Sequence, residues 1–383
     1  MALLFALLLV LVSALVHQGS PAIPSFYTWS GALPDRPGVL LRQQTTMQGM
    51  PPGSRALRIL RTTTGLTGRI TPARGWWSSP RAGRAAAGRA LGARHDRRGA
   101  EYAPSILKDP FAAGAMFIQD QVLARGWVLV APDYLGLGAS PPHPYLVGVP
   151  KARSALDAIR AARQLASIKL SDQTVVWAHS QGGGAALWTG SKGRARPRTF
   201  PLSGVAALAP ASDLTALANG LETSKAGMLF ASLMVAGNRN AYPDVAFNDH
   251  IRDSAQKVVR SVVGRCLSEP ATLLSLPAVL TGEKIFSRHL GDGPLGTRLA
   301  RNVPNQVTQI PTLIGRAKPT PSSCPRSRPR FAGRLCQAGE KLEYRTYPGF
   351  DHVPLVEPNS PLIPYVLSWT RNRFQGAAAP SNC

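Results

Sequence analysis

Ser180 stands in Ala178-His179-Ser180-Gln181-Gly182, after the apolar run Val175-Val176-Trp177 and before the helical stretch Ala185-Ala186-Leu187-Trp188. A serine with small residues two positions to either side fits a sharp strand-to-helix turn, where larger side chains would strike neighbouring backbone. Such a turn lifts the hydroxyl above a sheet and sets it at a helix N-terminus, whose free N–H groups favour developing negative charge. The chemistry on offer is acyl transfer through a serine nucleophile. A five-residue pattern of this kind also occurs in Gly-rich linkers; the buried strand before it and the helix after it are the context the chemistry needs. The partner must be a base, placed after a later strand. Of the 7 histidines, only His352, in Tyr347-Pro348-Gly349-Phe350-Asp351-His352-Val353-Pro354, follows the last apolar run. His17 lies near the N-terminus, His95 in a basic tract, and His143, His250 and His289 in loops or a helical insert. His179 adjoins Ser180 and, by strand alternation, points away from its side chain.

These residues need a rigid frame. Trp127-Val128-Leu129-Val130-Ala131, bounded by Gly126 and Pro132, reads as a buried parallel strand. The turn-rich Asp133–Gly138 follows, and then Lys151–Ile168, with Leu156, Ile159, Ala162 and Leu165 on one face, reads as an amphipathic helix. Further strands are expected at Thr174–Trp177, Val205–Leu208, Thr312–Ile314 and Leu342–Tyr347. Strands alternating with helices make an α/β chain with a mostly parallel sheet covered by helices. The Leu- and Ala-rich stretch from 212 to 302 is too long for a loop and reads as a helical subdomain. No metal-ligand cluster or phosphate-cradling loop is visible, so neither a metal nor a cofactor is expected.

In these motifs the chain resembles the secreted lipases of the α/β-hydrolase superfamily found in actinomycetes and some yeasts. The likeness rests on Pro132-Asp133-Tyr134-Leu135-Gly136-Leu137-Gly138, Trp177–Gly183, Ala209-Pro210-Ala211 and Asp351-His352-Val353-Pro354-Leu355, and runs with interruptions from about Phe26 to the C-terminus. It implies an α/β-hydrolase fold with a cap or lid at 212–302, between hydrolase parts at 23–211 and 303–383. It also implies cleavage of triacylglycerols or shorter acyl esters by a secreted monomer working at a lipid–water interface. Ser180 would be the nucleophile, His352 the general base and the Gln181 N–H one oxyanion donor. The apolar run Ala2–Val16, followed by small residues, reads as a signal peptide spanning 1–22, although it lacks a basic leader.

Two family parts are missing. The acid that fixes the histidine tautomer is expected near Thr320, yet Gly315–Phe350 holds no Asp, and its acids Glu340 and Glu343 sit beside or within the last strand. The His-Gly-rich loop that supplies a second oxyanion donor belongs where Arg69–Arg98 stands, an Arg/Ala/Gly tract read as holding no strand. Out-of-frame reading of GC-rich DNA produces this composition. Codons for Ala90–Arg98, read one base later, can give Pro-Trp-Ala-His-Gly-Thr-Thr-Gly. Codons for Gly315–Cys324, read two bases later, can give Gln-Gly-Glu-Ala-Asp-Pro-Leu-Val-Leu. Lys192–Phe200 can likewise become Gly-Pro-Arg-Glu-Ala-Pro-Asp-Val, and Gly75–Pro80 can become Val-Val-Val-Leu-Pro through a different shift. The expectation is a set of short compensated frameshifts, against the blander reading of diverged basic surface loops.

Net charge fits the same windows. The chain carries +24, and 69–98, 192–198 and 316–330 together hold 17 of its 44 basic residues and one of its 20 acids. The remainder, at +8, is ordinary for a secreted hydrolase. At face value +24 points to a partner with phosphates, such as nucleic acid or an anionic membrane, and one alternative is a catalytically impaired hydrolase-like protein whose basic surface binds polyanions; the basic tracts lack interleaved aromatics apart from Trp76-Trp77, so no specific nucleic-acid partner is expected. An acyl-peptidase is the alternative within serine hydrolases. Four cysteines allow three pairings; with Cys324 in a shifted window, Cys336 pairs with Cys383 and Cys266 is left over. Resequencing the gene across the four windows is expected to show compensating indels. An uninterrupted frame would end the proposal.

Overall fold

The computed structural model describes residues 24–47, 50–80, 103–106, 118–137, 142–166, 170–194, 201–223, 225–263, 285–318 and 330–383. The signal-peptide region, the oxyanion-loop window from Arg81, the acid position near Thr320, Cys266 and Cys324 lie outside them. Strands β1 (Leu40–Thr46), β2 (Ser54–Thr64), β3 (Ile70–Pro80) and β4 (Leu129–Pro132) pair antiparallel in that order. Strands β5 (Thr174–His179), β6 (Leu202–Leu208), β7 (Thr312–Lys318) and β8 (Leu342–Pro348) pair parallel in that order. Among the described residues no strand joins β4 to β5.

Alternation along the strands serves two cores at once. Trp76, Leu129, Val175, Trp177 and Leu313 face one apolar layer, closed by α1 (Gln119–Ala124) and by Leu362–Phe374 near the C-terminus. Leu57, Trp77, Val130, Val176 and Ile314 face the other, closed by α2 (Gly148–Ala162), α3 (Gln181–Arg194) and Arg330–Gln337. Both sheets therefore share both layers, and the molecule is a helix–sheet–helix sandwich. Between β6 and β7 run α4 (Leu214–Glu222), α5 (Lys225–Ala241), α6 (Phe247–His250), α7 (Asp253–Val263) and α8 (Gly293–Arg301). Leu214, Leu233, Ile251, Leu295 and Leu299 give them their own apolar cluster, which Tyr145 and Leu146 join from the loop before α2. The helices at the C-terminal end are α9 (Arg330–Gln337) and α10 (Leu362–Phe374). The tail seals the outer edge of β8: the Asn382 side chain bridges the Tyr344 N–H and carbonyl, and a Cys336–Cys383 disulfide pins it.

Two expectations need correction. The strand at Leu129–Pro132 is buried on both faces, as its apolar run demands, yet it pairs antiparallel to β3. A run covered on both sides reads the same whichever way its neighbour points. The tract from Arg69, read as strandless, contains β3, which pairs with β2 from Ser54↔Pro80 to Thr64↔Ile70. Pairing over that whole length and burial of Trp76 and Trp77 outweigh the poor strand propensity of Pro72 and Gly75.

That strand is chemically out of place. Ala73 to Ser79 are all buried, a pattern that calls for apolar side chains on both faces. Instead the strand carries Arg74, Ser78 and Ser79, and Arg74 Nε and Nη1, Trp77 Nε1 and Ser78 Oγ find no hydrogen-bond partner among the described residues. Each such buried group costs about 1–3 kcal/mol. Val-Val-Val-Leu-Pro, the shifted reading of Gly75–Pro80, would remove the Trp77 and Ser78 groups but leave Arg74, which precedes that window.

Asp133, just after β4, is 1% exposed and accepts hydrogen bonds from the N–H and hydroxyl of Ser105. Burial pushes its carboxyl up to about 6, against the Ser105 bonds and the pull of the Arg74 and Arg61 guanidiniums. Between the ordinary value near 4 and 6, the unfolded chain gives up this proton and the folded chain keeps it, so rising pH weakens the fold. Asp133→Asn removes that proton linkage. Its stability relative to the parent should improve by about 2–3 kcal/mol from pH 4 to pH 7, read by urea unfolding. A difference that does not change with pH would refute this.

Candidate active site

Ser180 is the hinge between β5 and α3, and its φ is +59°, in the left-handed region that non-glycine residues rarely occupy. Three backbone bonds hold it there. Its N–H donates to the Leu208 carbonyl at 2.9 Å, and its own carbonyl accepts from Gly184 at 3.1 Å and Ala211 at 3.0 Å. The helix start lies hard against the end of β6, so a Cβ on Gly183 would meet Pro210 Cα at 2.9 Å, and one on Gly184 the Ala211 carbonyl oxygen at 2.4 Å. Small residues are thus required on the helix side of the turn.

The structure brings Ser180 and His352 together. His352 follows β8 through Gly349, whose φ is +78°, and its Nε2 lies 2.8 Å from Ser180 Oγ. With the hydroxyl donating, Nε2 is the acceptor and the ring is set to receive the proton. Gln181 opens α3; the N–H groups of a first helical turn have no partner within the helix and carry its positive end. Its side chain is buried and Oε1 accepts the Leu146 N–H at 3.4 Å. Glu340 and Glu343 are elsewhere. Glu340 accepts from Thr308 and Thr312, and Glu343 from Arg345 and the Tyr365 hydroxyl. Glu343 is at the start of β8, roughly 16 Å of strand from the end that leads to His352.

Two further residues stand at the site. His179, buried at the end of β5, places Nε2 2.7 Å from the carbonyl oxygen of His352, with the two rings 4.4 Å apart. Strand alternation, which predicts that it points away from Ser180, says nothing of this contact with the base loop. Asn302, at the end of α8, donates to the Leu146 carbonyl at 2.7 Å and accepts from Gly148 N–H at 3.0 Å, holding Leu146 at φ +62° beside Gln181. A contact spanning 156 residues leaves no local sequence signal.

Known proteins resemble this chain in sequence and in fold. The family described as "Secretory lipase" matches residues 112–382. The chain is 26% identical over 297 residues to the secreted triacylglycerol lipase LIP4 of Malassezia globosa, covering 72% of this chain and 62% of that one. It is 26% identical over 192 residues to LIP5 of Malassezia furfur, covering 45% and 47%. It thus spans less than two thirds of the length of these relatives. Among solved structures, Candida antarctica lipase A superposes with a TM-score of 0.73 at 18% identity, over 95% of this chain and 88% of that one. The rice cell wall degrading esterase LipA from Xanthomonas oryzae gives 0.68 at 20%, over 88% and 97%. At these identities the superpositions establish the fold, that of the α/β-hydrolases.

Gly184→Ala should expose how tightly the turn is held. The added methyl must displace Ala211, costing about 1–3 kcal/mol in denaturant unfolding and slowing fluorophosphonate labelling of Ser180. Gly220→Ala, where a Cβ meets nothing within 4 Å on an exposed helical position, should be neutral or stabilising by up to about 1 kcal/mol. Equal behaviour of the two variants would contradict the packing argument.

Proposed function

The chain belongs to the secretory lipase family, and from that premise we propose that it cleaves acyl esters, triacylglycerols among them, through an acyl-enzyme on Ser180. The observation that carries the reading is the 2.8 Å contact between His352 Nε2 and Ser180 Oγ. In the first half-reaction Oγ attacks the ester carbonyl carbon while His352 takes its proton. The tetrahedral oxyanion faces the Gln181 N–H at the start of α3. As the intermediate collapses, His352 returns the proton to the departing alcohol, and the acyl group stays on Ser180. Water then repeats the sequence, releasing the fatty acid and restoring the hydroxyl.

Secretion is part of the proposal. The relatives are named as secreted lipases, a disulfide suits an oxidising compartment, and no helix among the described residues is long and apolar enough to cross a membrane. The helices between β6 and β7 would serve as the cap that admits the acyl chain, in a monomer acting on lipid at its interface with water.

The chain as it stands is proposed to be a slow enzyme. Among the described residues Glu340 and Glu343 are bonded elsewhere, and losing one oxyanion donor alone costs about 10²–10³ in rate. Tributyrin hydrolysis should be compared for the natural chain, its Ser180→Ala variant and a chain with the shifted windows restored. Activity lost in the variant and raised at least about a hundredfold in the restored chain is expected. Equal rates in all three would overturn both the nucleophile and the frame reading.

A further inference from the structure

We propose that His179 is a positioning residue that sets the reach of His352 to Ser180, an inference that rests on the roles just assigned to that pair. His352 lies on an exposed loop, with Asp351 and Val353 exposed beside it. The loop departs from β8, while Ser180 stands at the end of β5, with the two strands β6 and β7 between them. Something must tie the loop to the turn. The His179 side chain does so directly, with Nε2 2.7 Å from the His352 carbonyl oxygen. A carbonyl only accepts, so Nε2–H is the donor.

The arrangement is economical in its errors. His179 and Ser180 are consecutive, and the Ser180 backbone is fixed by bonds to Leu208, Gly184 and Ala211. One side chain therefore grips the backbone of His352, and the next receives its ring, with a single peptide between the two contacts. Displacing a reacting group by about 1 Å costs up to a hundredfold in rate, so this short linkage matters more than its single hydrogen bond suggests. It matters more still where Glu340 and Glu343 are committed elsewhere.

Chemistry also fixes what may stand at 179. The ring centroids are 4.4 Å apart with planes tilted by 40°. When His352 takes the serine proton it becomes a cation, so its neighbour must donate one hydrogen bond without carrying a charge. A neutral imidazole meets both demands. A glutamine would too, because its amide nitrogen falls where Nε2 lies; asparagine falls short, and phenylalanine keeps the ring without the donor.

The test is p-nitrophenyl butyrate hydrolysis by the full chain and its His179→Gln, His179→Asn, His179→Phe and Ser180→Ala variants, with melting points measured for each. We expect His179→Phe and His179→Asn to lower kcat about ten- to a hundredfold with KM within about threefold, and His179→Gln to recover to within about fivefold of the parent. Comparing Gln with Asn keeps the question open to refutation even where the Phe variant folds poorly. Unchanged kcat in His179→Phe, or equal losses in Gln and Asn that follow their melting points, would overturn the proposal. Hydrolysis surviving in Ser180→Ala would instead refute the assignment of the nucleophile.

Discussion

The backbone of Ser180, held at φ +59°, is the constraint on which the other features converge. A non-glycine residue there carries about 1–3 kcal/mol of strain, and it persists only where its surroundings fix it from several sides. Here those surroundings are the end of β6. Leu208 accepts the serine N–H, Ala211 donates to the serine carbonyl, and Ala209, itself at φ +42°, is tied to Gly315 of β7 at 2.6 Å. The turn is thus clamped by the two strands that follow β5 in the sheet. The parallel register of Val175–His179 with Gly204–Leu208 brings those strand ends level. Close packing explains the glycines, and strain explains why the hydroxyl projects.

From this turn the site extends in two directions through ordinary polar contacts. On one side His179 reaches the loop after β8 and carries His352 to the hydroxyl. On the other, Gln181 meets Leu146, which Asn302 holds from the end of the helical insert. The residues flanking the nucleophile therefore anchor the base loop and the insert. A strand-to-helix turn makes this possible: the last strand residue, His179, reaches the loop after β8, while the first helical residue, Gln181, meets the loop before α2 that packs on the insert.

The proposed nucleophile and base are legible in the sequence because their signals are local. A small-residue pattern between an apolar strand and a helix names Ser180, and a histidine after the last strand names His352. The five strands from Leu129 to Tyr347 were readable for the same reason, each being a short apolar run bounded by turns. Strand direction was not: Leu129–Pro132 is apolar on both faces with an antiparallel partner just as it would be with a parallel one. Nor was β3, whose residues become a strand through the eleven pairs they make with β2. His179 and Asn302 escaped because their meaning lies in contacts 173 and 156 residues away.

The remaining disagreement between sequence and fold is densest in β3, with a second instance in β2, where Arg61 is fully buried and its guanidinium nitrogens find no hydrogen-bond partner among the described residues. In β3 the buried pattern from Ala73 to Ser79 calls for a continuous apolar strand, and the chain supplies an arginine, two tryptophans and two serines there. The resemblance puts the expected acid and second oxyanion donor in neighbouring or similar tracts, which also hold two thirds of the net positive charge. Divergence under selection for folding would spread its compromises, and it would spare a strand at the heart of two apolar layers before an exposed loop. A slipped frame makes no such distinction: it replaces every residue of a window, buried or exposed, and stops where the frame returns. Ser78 inside the sheet is therefore harder to reconcile with a diverged surface than with a shifted frame, whereas Arg74 lies just before the Gly75–Pro80 window. The turn at Ser180 and its contact with His352 lie outside all four windows.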